Sequence, residues 1–354
     1  MQNRGILIAD AHIKQRLWTN FPKIQGDSYE ALKKVQEAAD GGFVISCGDL
    51  FDSNRPSSTD LKAVSDLMRN IETLYYVNGN HDSVVPDIVS SLGTNTVHLS
   101  TEPTYIGDVA FFGIDWRNNK EDIIYLLKEV SNQMSRDMGI ENVLIMHQSL
   151  DVFFMSHIIT LEEIKQILDH SCNIFIGDIH VHKTVSSKLY SCTSPGPLVP
   201  QDIQQAKHQQ YMIEVCCKEG DLEIRDIPVK VRDYVFLDSP DTLEETVKEA
   251  LEKNTYNLPP VIFIKAPHGY KIPRELSNRD DIIVVANTLP AELHKEAQET
   301  QTTGTLLDTV MEEIAETEPE LARTMEPLVQ RLYNQETPDE FLLALLKKWG
   351  IIMT

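Results

Sequence analysis

Histidine, aspartate and asparagine recur along this 354-residue chain in five short signatures, each just after an apolar run. They are Asp10-Ala-His12, Gly48-Asp49-Leu-Phe-Asp52, Gly79-Asn80-His81-Asp82, Met146-His147-Gln148 and Gly177-Asp178-Ile-His180-Val-His182. Carboxylate oxygens mixed with imidazole nitrogens suit manganese, iron or another imidazole-tolerant divalent cation better than calcium or a thiolate-bound metal. A carboxylate such as Asp49 can bridge two cations roughly 3.5–4 Å apart, and such a pair activates water and stabilises charge on a phosphate under in-line attack. The five signatures together imply two-metal phosphoester cleavage.

Each residue type suits a particular task. Gly48 lets the backbone turn tightly and bring Asp49 close to a metal. Asp10 and His12 lie two residues apart on an extended segment and can converge on one ion. Asn80 offers a neutral carbonyl and His147 an imidazole. His81 stands beside a ligand and suits contact with the phosphate or protonation of the departing oxygen. Asp52, three residues past Asp49, is placed to orient His81, as a carboxylate does in other acid–base dyads. A lone Asp-x-His would read as a solvated loop; the ordered set of five is what carries the argument. His98, His157, His170, His208, His268 and His294 match no signature and read as surface or hydrogen-bonded histidines. Trp18 and Trp116 read as packing residues.

These side chains need a scaffold that delivers them to one place. Apolar runs at 6–9, 43–46, 74–77, 143–146 and 174–176 are short and bounded by Gly, Asp or Asn, as buried strands are. Helical patterns lie between them at 28–39, 59–70, 120–136 and 161–170, the last opened by a Thr160/Glu163 capping box. The alternation predicts a layered α/β domain whose signatures all sit at the carboxyl ends of strands. Beyond about residue 188 the pattern turns to β, with a hairpin over 211–229. A smaller α/β unit follows over 231–290, holding a helix at 243–252 and strands at 261–265 and 281–286. After Pro290 the chain is acidic, with apolar residues at helical spacing from Leu306 to Trp349.

The set resembles the calcineurin-like metallophosphoesterases. Gly48-Asp-Leu-Phe-Asp-Ser-Asn-Arg-Pro-Ser57 narrows the resemblance to SbcD-type DNA repair nucleases, the nuclease subunits of Mre–Rad complexes and phage recombination endonucleases. Phosphoprotein phosphatases carry Arg-Gly where this chain has Ser53-Asn54. The resemblance implies a β-sandwich flanked by helices (1–230), a small α/β capping domain (231–290) and a helical ATPase-docking tail (291–354). It also implies double-strand 3′→5′ exonuclease and single-strand endonuclease activity with two divalent cations, typically Mn2+, with Mg2+ as the alternative. By the same resemblance one cation takes Asp10, His12, Asp49 and His180, and the other Asp49, Asn80, His147 and residue 178. Here the chain departs from the pattern: the family's usual last signature is Gly-His-x-His, and this one has Gly177-Asp178-Ile-His180. Asp178 keeps the spacing from Gly177 and is the favoured ligand, with His182 the alternative.

Charge sets a condition on that reading. The chain carries 54 acidic against 32 basic residues, a net charge of −22, whereas nucleic-acid affinity ordinarily rests on a basic surface. Two divalent cations offset the acidity where a phosphate would sit, and Lys14, Arg16, Arg55 and Lys183 lie near the signatures. Weak DNA affinity in isolation is expected, with a coiled-coil ATPase of the SbcC/Rad type, clasped by the C-terminal helices, supplying the remainder. A homodimer is compatible with the same organisation. The five cysteines lack CxxC spacing and read as reduced thiols. No secretory leader or membrane-spanning run is evident, so the cytoplasm of a bacterial or phage-infected cell is expected. The rival readings are a small-phosphodiester or cyclic-nucleotide hydrolase and a metal-free scaffold on the same fold.

Overall fold

A strand apolar at every position must be covered on both faces, and the signature-bearing runs of this chain are of that kind. The computed structural model describes residues 3–83, 87–134, 140–152, 158–187, 190–218, 221–267 and 269–288. The chain opens with β1 (Asn3–Ile8), α1 (Asp27–Ala39), β2 (Phe43–Ser46), α2 (Ser58–Met68), β3 (Leu74–Tyr76) and β4 (Thr96–His98). There follow β5 (Thr104–Ile106), β6 (Val109–Ile114), α3 (Lys120–Met134), β7 (Glu141–His147), α4 (Leu161–Ile167) and β8 (Cys172–Gly177). Next come β9 (Lys183–Ser186), β10 (Tyr190–Ser194), β11 (Gln210–Lys218) and β12 (Asp221–Val229).

These strands form two six-stranded sheets, ordered β12-β11-β1-β2-β3-β4 and β5-β6-β7-β8-β10-β9. β1 to β4 run parallel, as do β6, β7, β8 and β10. Their side chains alternate between two cores. Leu7 shares one core with Ile45, Val143, Ile145 and Phe175 from both sheets. Its neighbours Ile6 and Ile8 join Leu32, Val35 and Val64 of α1 and α2, while Leu144 and Met146 join Ile123 and Leu127 of α3 and Ile164 of α4. The fold is thus a mixed α/β sandwich with helices outside, and burying each such aliphatic side chain stabilises it by about 1.5–3 kcal/mol. Parallel strands share a direction, so β1, β2, β3, β7 and β8 all end toward their signatures.

The Thr160/Glu163 capping box forms, and Ser57 and Asp60 make a second one at α2 that the sequence reading did not include. β6 was not expected either: a fully buried run of six residues has no periodicity to separate it from a loop or a helix turn.

Past β12 the chain builds a third sheet from β13 (Tyr234–Leu237), β14 (Val261–Ala266) and β15 (Ile283–Thr288), in that order, with α5 (Leu243–Lys253) between the first two. Of these three strands, the one at 234–237 is the one that sequence reasoning missed. Trp18 stacks on Phe263 at 5.6 Å, in a cluster with Ile24, Val261 and Ile283, so it packs as expected. Nearby, Arg232 is fully buried and grips Asp27 at the start of α1 with Nε and Nη2, at 2.6 and 3.0 Å. Met1–Ile264 and Lys271–Ala286 group as one compact unit. The tail helices expected over 306–349 lie outside the described residues. Among the described residues no helix is long and apolar enough to cross a membrane.

Candidate metal centre

The centre begins where β1 and β2 end. Past these strands the two loops stay zipped: His12 N–H donates to the Asp49 carbonyl at 2.9 Å and Ile13 N–H to the Leu50 carbonyl at 2.8 Å. This pairing holds Asp10, His12 and Asp49 in left-handed backbone, with φ of 46°, 42° and 49°. Non-glycine residues adopt that region at a cost, and such strain concentrates at functional sites. Two glycines make the approach possible. A Cβ on Gly48 would lie 2.3 Å from Nδ1 of His147, and one on Gly79 would lie 2.1 Å from Oδ1 of Asp49.

Asp49 stands at the middle. Its Oδ1 accepts from the His81 N–H at 2.8 Å. Its Oδ2 lies 3.5 Å from His147 Nε2, 3.7 Å from His12 Nε2 and 4.0 Å from His81 Nε2. His147 is anchored from behind, with Nδ1 2.8 Å from the Cys47 carbonyl, so its Nε2 faces inward, 3.1 Å from Asn80 Oδ1. On the other side His180 Nε2 lies 3.8 Å from Asp10 Oδ1, and the Gln205 amide nitrogen lies 3.1 Å from His180 Nδ1. Asp178 follows β8 at φ 77°, donates its N–H to Asp10 Oδ1 at 3.0 Å, and places Oδ1 4.0 Å from His147 Nε2. Asp10, His12, Asp49, Asn80, His147, Asp178 and His180 therefore converge on one end of the sandwich.

This donor set fits divalent cations. Asp10, His12, Asp49 and His147 are at most 2% exposed, yet Asp10 Oδ2 and both His12 ring nitrogens have no hydrogen-bond partner. Buried polar atoms are almost always paired, so these point to an absent partner. Two triads, Asp10–His12–His180 and Asp10–Asp49–His147, have ligand atoms within 4.8 Å of one another. The electrostatics agree. Burial raises the Asp10 pKa above its usual range. Burial alone would lower the His147 pKa, but Asp49, Asp10 and Asp178 outweigh it and raise it to about 10. The carboxylates hold protons on imidazoles where a cation would serve, and cation binding would release those protons.

The geometry corrects one expectation. Asp52 was expected to orient His81 through its carboxylate, but it is the Asp52 backbone carbonyl that lies 2.9 Å from His81 Nδ1. The carboxylate turns the other way, to Lys14 Nζ at 2.5 Å and to within 3.4 Å of His12 Nδ1. His81 is partly exposed, with Nε2 toward the centre. His182, the alternative to Asp178, is turned away: it lies 3.1 Å from Asp226 and packs on Tyr211 at 4.2 Å between ring centres. Of the histidines outside the signatures, His98 pairs with Asp115 at 2.8 Å, and His157, His268 and His294 lie outside the described residues.

Three supporting residues were not singled out from sequence. Asp82 is buried and clasps two signature loops, accepting from Leu50 N–H at 2.7 Å and Gly79 N–H at 2.8 Å. Its place in Gly79-Asn-His-Asp82 was the available signal. Ser149, whose hydroxyl donates to Asp178 Oδ2, and Gln205 carry no comparable mark.

Residues 6–173 match the calcineurin-like phosphoesterase family. The chain is 24% identical over 264 residues to the DNA double-strand break repair protein Mre11 of Methanosarcina mazei, covering 69% of this chain and 42% of that protein. It is 23% identical over 274 residues to the protein of the same name from Methanosarcina acetivorans, covering 72% and 44%. The chain thus spans less than half the length of these relatives. The crystal structure of TT1561 of Thermus thermophilus matches with a TM-score of 0.43 at 10% identity, over 64% of this chain and 99% of that one. The matched segment carries Asp10, His12, Asp49, Asn80 and His147 of the donor cluster, with Asp178 and His180 just beyond it; over that segment the chain is similar to the calcineurin-like phosphoesterases, and over a longer stretch more weakly to the Mre11 proteins.

Proposed function

We propose that the protein is a divalent-metal-dependent DNA nuclease, a 3′→5′ exonuclease on duplex and an endonuclease on single strands. In this reading it works with a coiled-coil ATPase of the SbcC/Rad type in DNA repair or recombination. The observation that carries it is the reach of the Mre11 likeness: 264 aligned residues extend well beyond the phosphoesterase match at 6–173. A small-substrate phosphodiesterase would share the metal centre without the rest.

Asp10, His12, Asp49 and His180 would hold one cation and Asp49, Asn80, His147 and Asp178 the other, Mn2+ or Mg2+ being the favoured ions. The pair would activate water and neutralise charge on the scissile phosphate. The protein's own contribution is positional. The Cys47 carbonyl and the Gln205 amide set the faces of His147 and His180, in the manner of outer-shell partners. Asp82 ties the Asp49 and Asn80 loops into one piece. His81, fixed by the Asp52 carbonyl, would present Nε2 to a phosphate oxygen or to the departing oxygen. Asp52 and Lys14 would brace His12. Residues 231–290 would cap the DNA approach, and the apolar helical pattern after 305 would dock the ATPase, which supplies the DNA-binding surface that a chain of charge −22 lacks.

The test sets linear duplex DNA beside bis-p-nitrophenyl phosphate, each with Mn2+ and with chelator. Cleavage of both substrates, lost on chelation, is expected. Turnover of the small diester with none of DNA, even with the ATPase present, would replace this reading by the small-phosphodiester one.

A further inference from the structure

Assigned to two cations as proposed above, the donors form two unlike sets. Around His147 Nε2 lie three oxygens: Asn80 Oδ1 at 3.1 Å, Asp49 Oδ2 at 3.5 Å and Asp178 Oδ1 at 4.0 Å. Imidazole is better represented on the other side, where His180 Nε2 stands 3.8 Å from Asp10 Oδ1 and His12 Nε2 3.7 Å from Asp49 Oδ2. One set therefore offers a single nitrogen among oxygens, and the other offers two nitrogens with two carboxylates. Asp178 creates the difference, because a histidine in its place would give both sets two nitrogens.

The Asp178 carboxylate is not left free to choose its pose. The Ser149 hydroxyl donates to Oδ2, which leaves Oδ1 as the atom facing His147. Ser149 follows His147 by two residues at the end of β7, and β7 pairs with β8 in a register that sets His147 beside Gly177. The hydroxyl and the carboxylate thus arrive from adjacent parallel strands. The Asp178 backbone is fixed as well, through its N–H to Asp10 Oδ1 at 3.0 Å. A donor on one carboxylate oxygen orients the other and restrains its charge, which is how outer-shell partners tune a metal ligand.

We propose that Asp178, held by Ser149, makes the two cation sites chemically unlike. The His147 site takes a hard divalent cation such as Mn2+ or Mg2+, and the His12–His180 site takes the more nitrogen-seeking ion, such as Zn2+, when both are offered. Ser149 acts as a positioning residue for the first of these. The inference rests on the two-cation reading above and adds a preference that reading does not contain.

The test uses the full chain stripped of metal and reloaded with one equivalent each of Zn2+ and Mn2+. Anomalous scattering at the two absorption edges should place Zn2+ among Asp10, His12 and His180 and Mn2+ among Asn80, His147 and Asp178. In Asp178→His, Zn2+ should enter the second position too. Calorimetry with Mn2+ alone should show Ser149→Ala weakening one of two ions by about tenfold or more, the other staying within about twofold, and Ser149→Thr restoring both. Zn2+ and Mn2+ distributed alike over both positions, or a Ser149→Ala variant with two unchanged ions, would overturn the inference. A native chain that binds fewer than two cations would instead overturn the two-cation reading beneath it.

Discussion

Two clusters of charge are buried in this protein, and they are built in opposite ways. Arg232 and Asp27 are 0% and 2% exposed, and their polar atoms are partnered. The guanidinium makes two bonds to Asp27, reaches the Gln25 carbonyl at 2.7 Å and the Pro259 carbonyl at 3.2 Å, and Tyr234 donates to Asp27 at 2.9 Å. Asp10, His12, Asp49 and His147 are equally buried, yet Asp10 Oδ2 and His12 Nε2 have no hydrogen-bond partner, and three of the four residues sit at positive φ. Burial alone does not separate structural charge from functional charge; completeness does. A satisfied cluster fixes the chain, and an unsatisfied, strained one is shaped for something that arrives later.

The largest effect should follow from removing the carboxylate between the two donor sets. Loss of an outer-shell partner typically costs 10–100-fold in metal affinity or activity, so Asp49→Asn should lower manganese-dependent turnover of bis-p-nitrophenyl phosphate by more than about a hundredfold. Its circular dichroism should be unchanged. Retention of more than a tenth of native turnover would remove Asp49 from the middle of the centre.

The complete cluster should answer in stability instead. Arg232→Met leaves the Asp27 carboxylate buried without its partner, a loss of about 3–5 kcal/mol. Urea denaturation in chelator would measure it, and the double variant Asp27→Asn/Arg232→Met should recover much of the loss because no charge remains stranded. Turnover per folded molecule should hold near the native value. A drop in turnover that the double variant does not restore would mean that the Arg232 cluster also serves the chemistry, and the contrast would blur.

The same contrast marks what sequence could show. The donors were legible because each signature follows an apolar run, and parallel strands deliver their carboxyl ends to one place; even the inward choice of Asp178 over His182 followed from spacing to Gly177. The Arg232–Asp27 pair was not legible, because 205 residues separate partners whose types are ordinary on any surface. Asp52 shows a subtler limit: the residue was placed beside His81, but whether a carbonyl or a carboxylate makes the contact depends on the turn after β2, which spacing does not encode. β6 and β13 were missed because neither run is followed by one of the five signatures, and an apolar run alone has no period that separates strand from helix turn.

Cation binding should stabilise the incomplete cluster and leave the complete one indifferent. At a Mn2+ concentration about a hundredfold above its dissociation constant, one site adds about 2.7 kcal/mol. Calorimetric melting should therefore rise by several degrees with Mn2+ and fall back with chelator. Arg232→Met should keep this increment and Asp49→Asn should lose most of it. Equal increments in all three proteins would place the bound ion elsewhere.

The smallest effect comes from a pair between the two extremes. His98 Nε2 lies 2.8 Å from Asp115 Oδ1, and the same oxygen accepts the Asn78 N–H at 2.7 Å, two residues before Asn80. The His98 ring stacks on Tyr76 at 5.0 Å between centres, and its side chain is 40% exposed. Hydrogen bonding to Asp115 raises the His98 pKa above 6.5, with burial opposing and the Asp115 and Asp87 charges adding to the rise. The folded state therefore favours the protonated ring. Its stabilisation is fully present below pH 6.5, the ordinary value, and is lost as pH rises through the raised one. Solvent screening of so exposed a pair limits the contribution to under about 1 kcal/mol. His98→Gln keeps a hydrogen-bonding side chain but does not titrate. Melting curves in chelator should show native protein more stable than the variant at about pH 6, with the gap closing toward about pH 9. A gap independent of pH would mean that His98 acts through stacking on Tyr76, and that the brace on the Asn78 turn carries no charge.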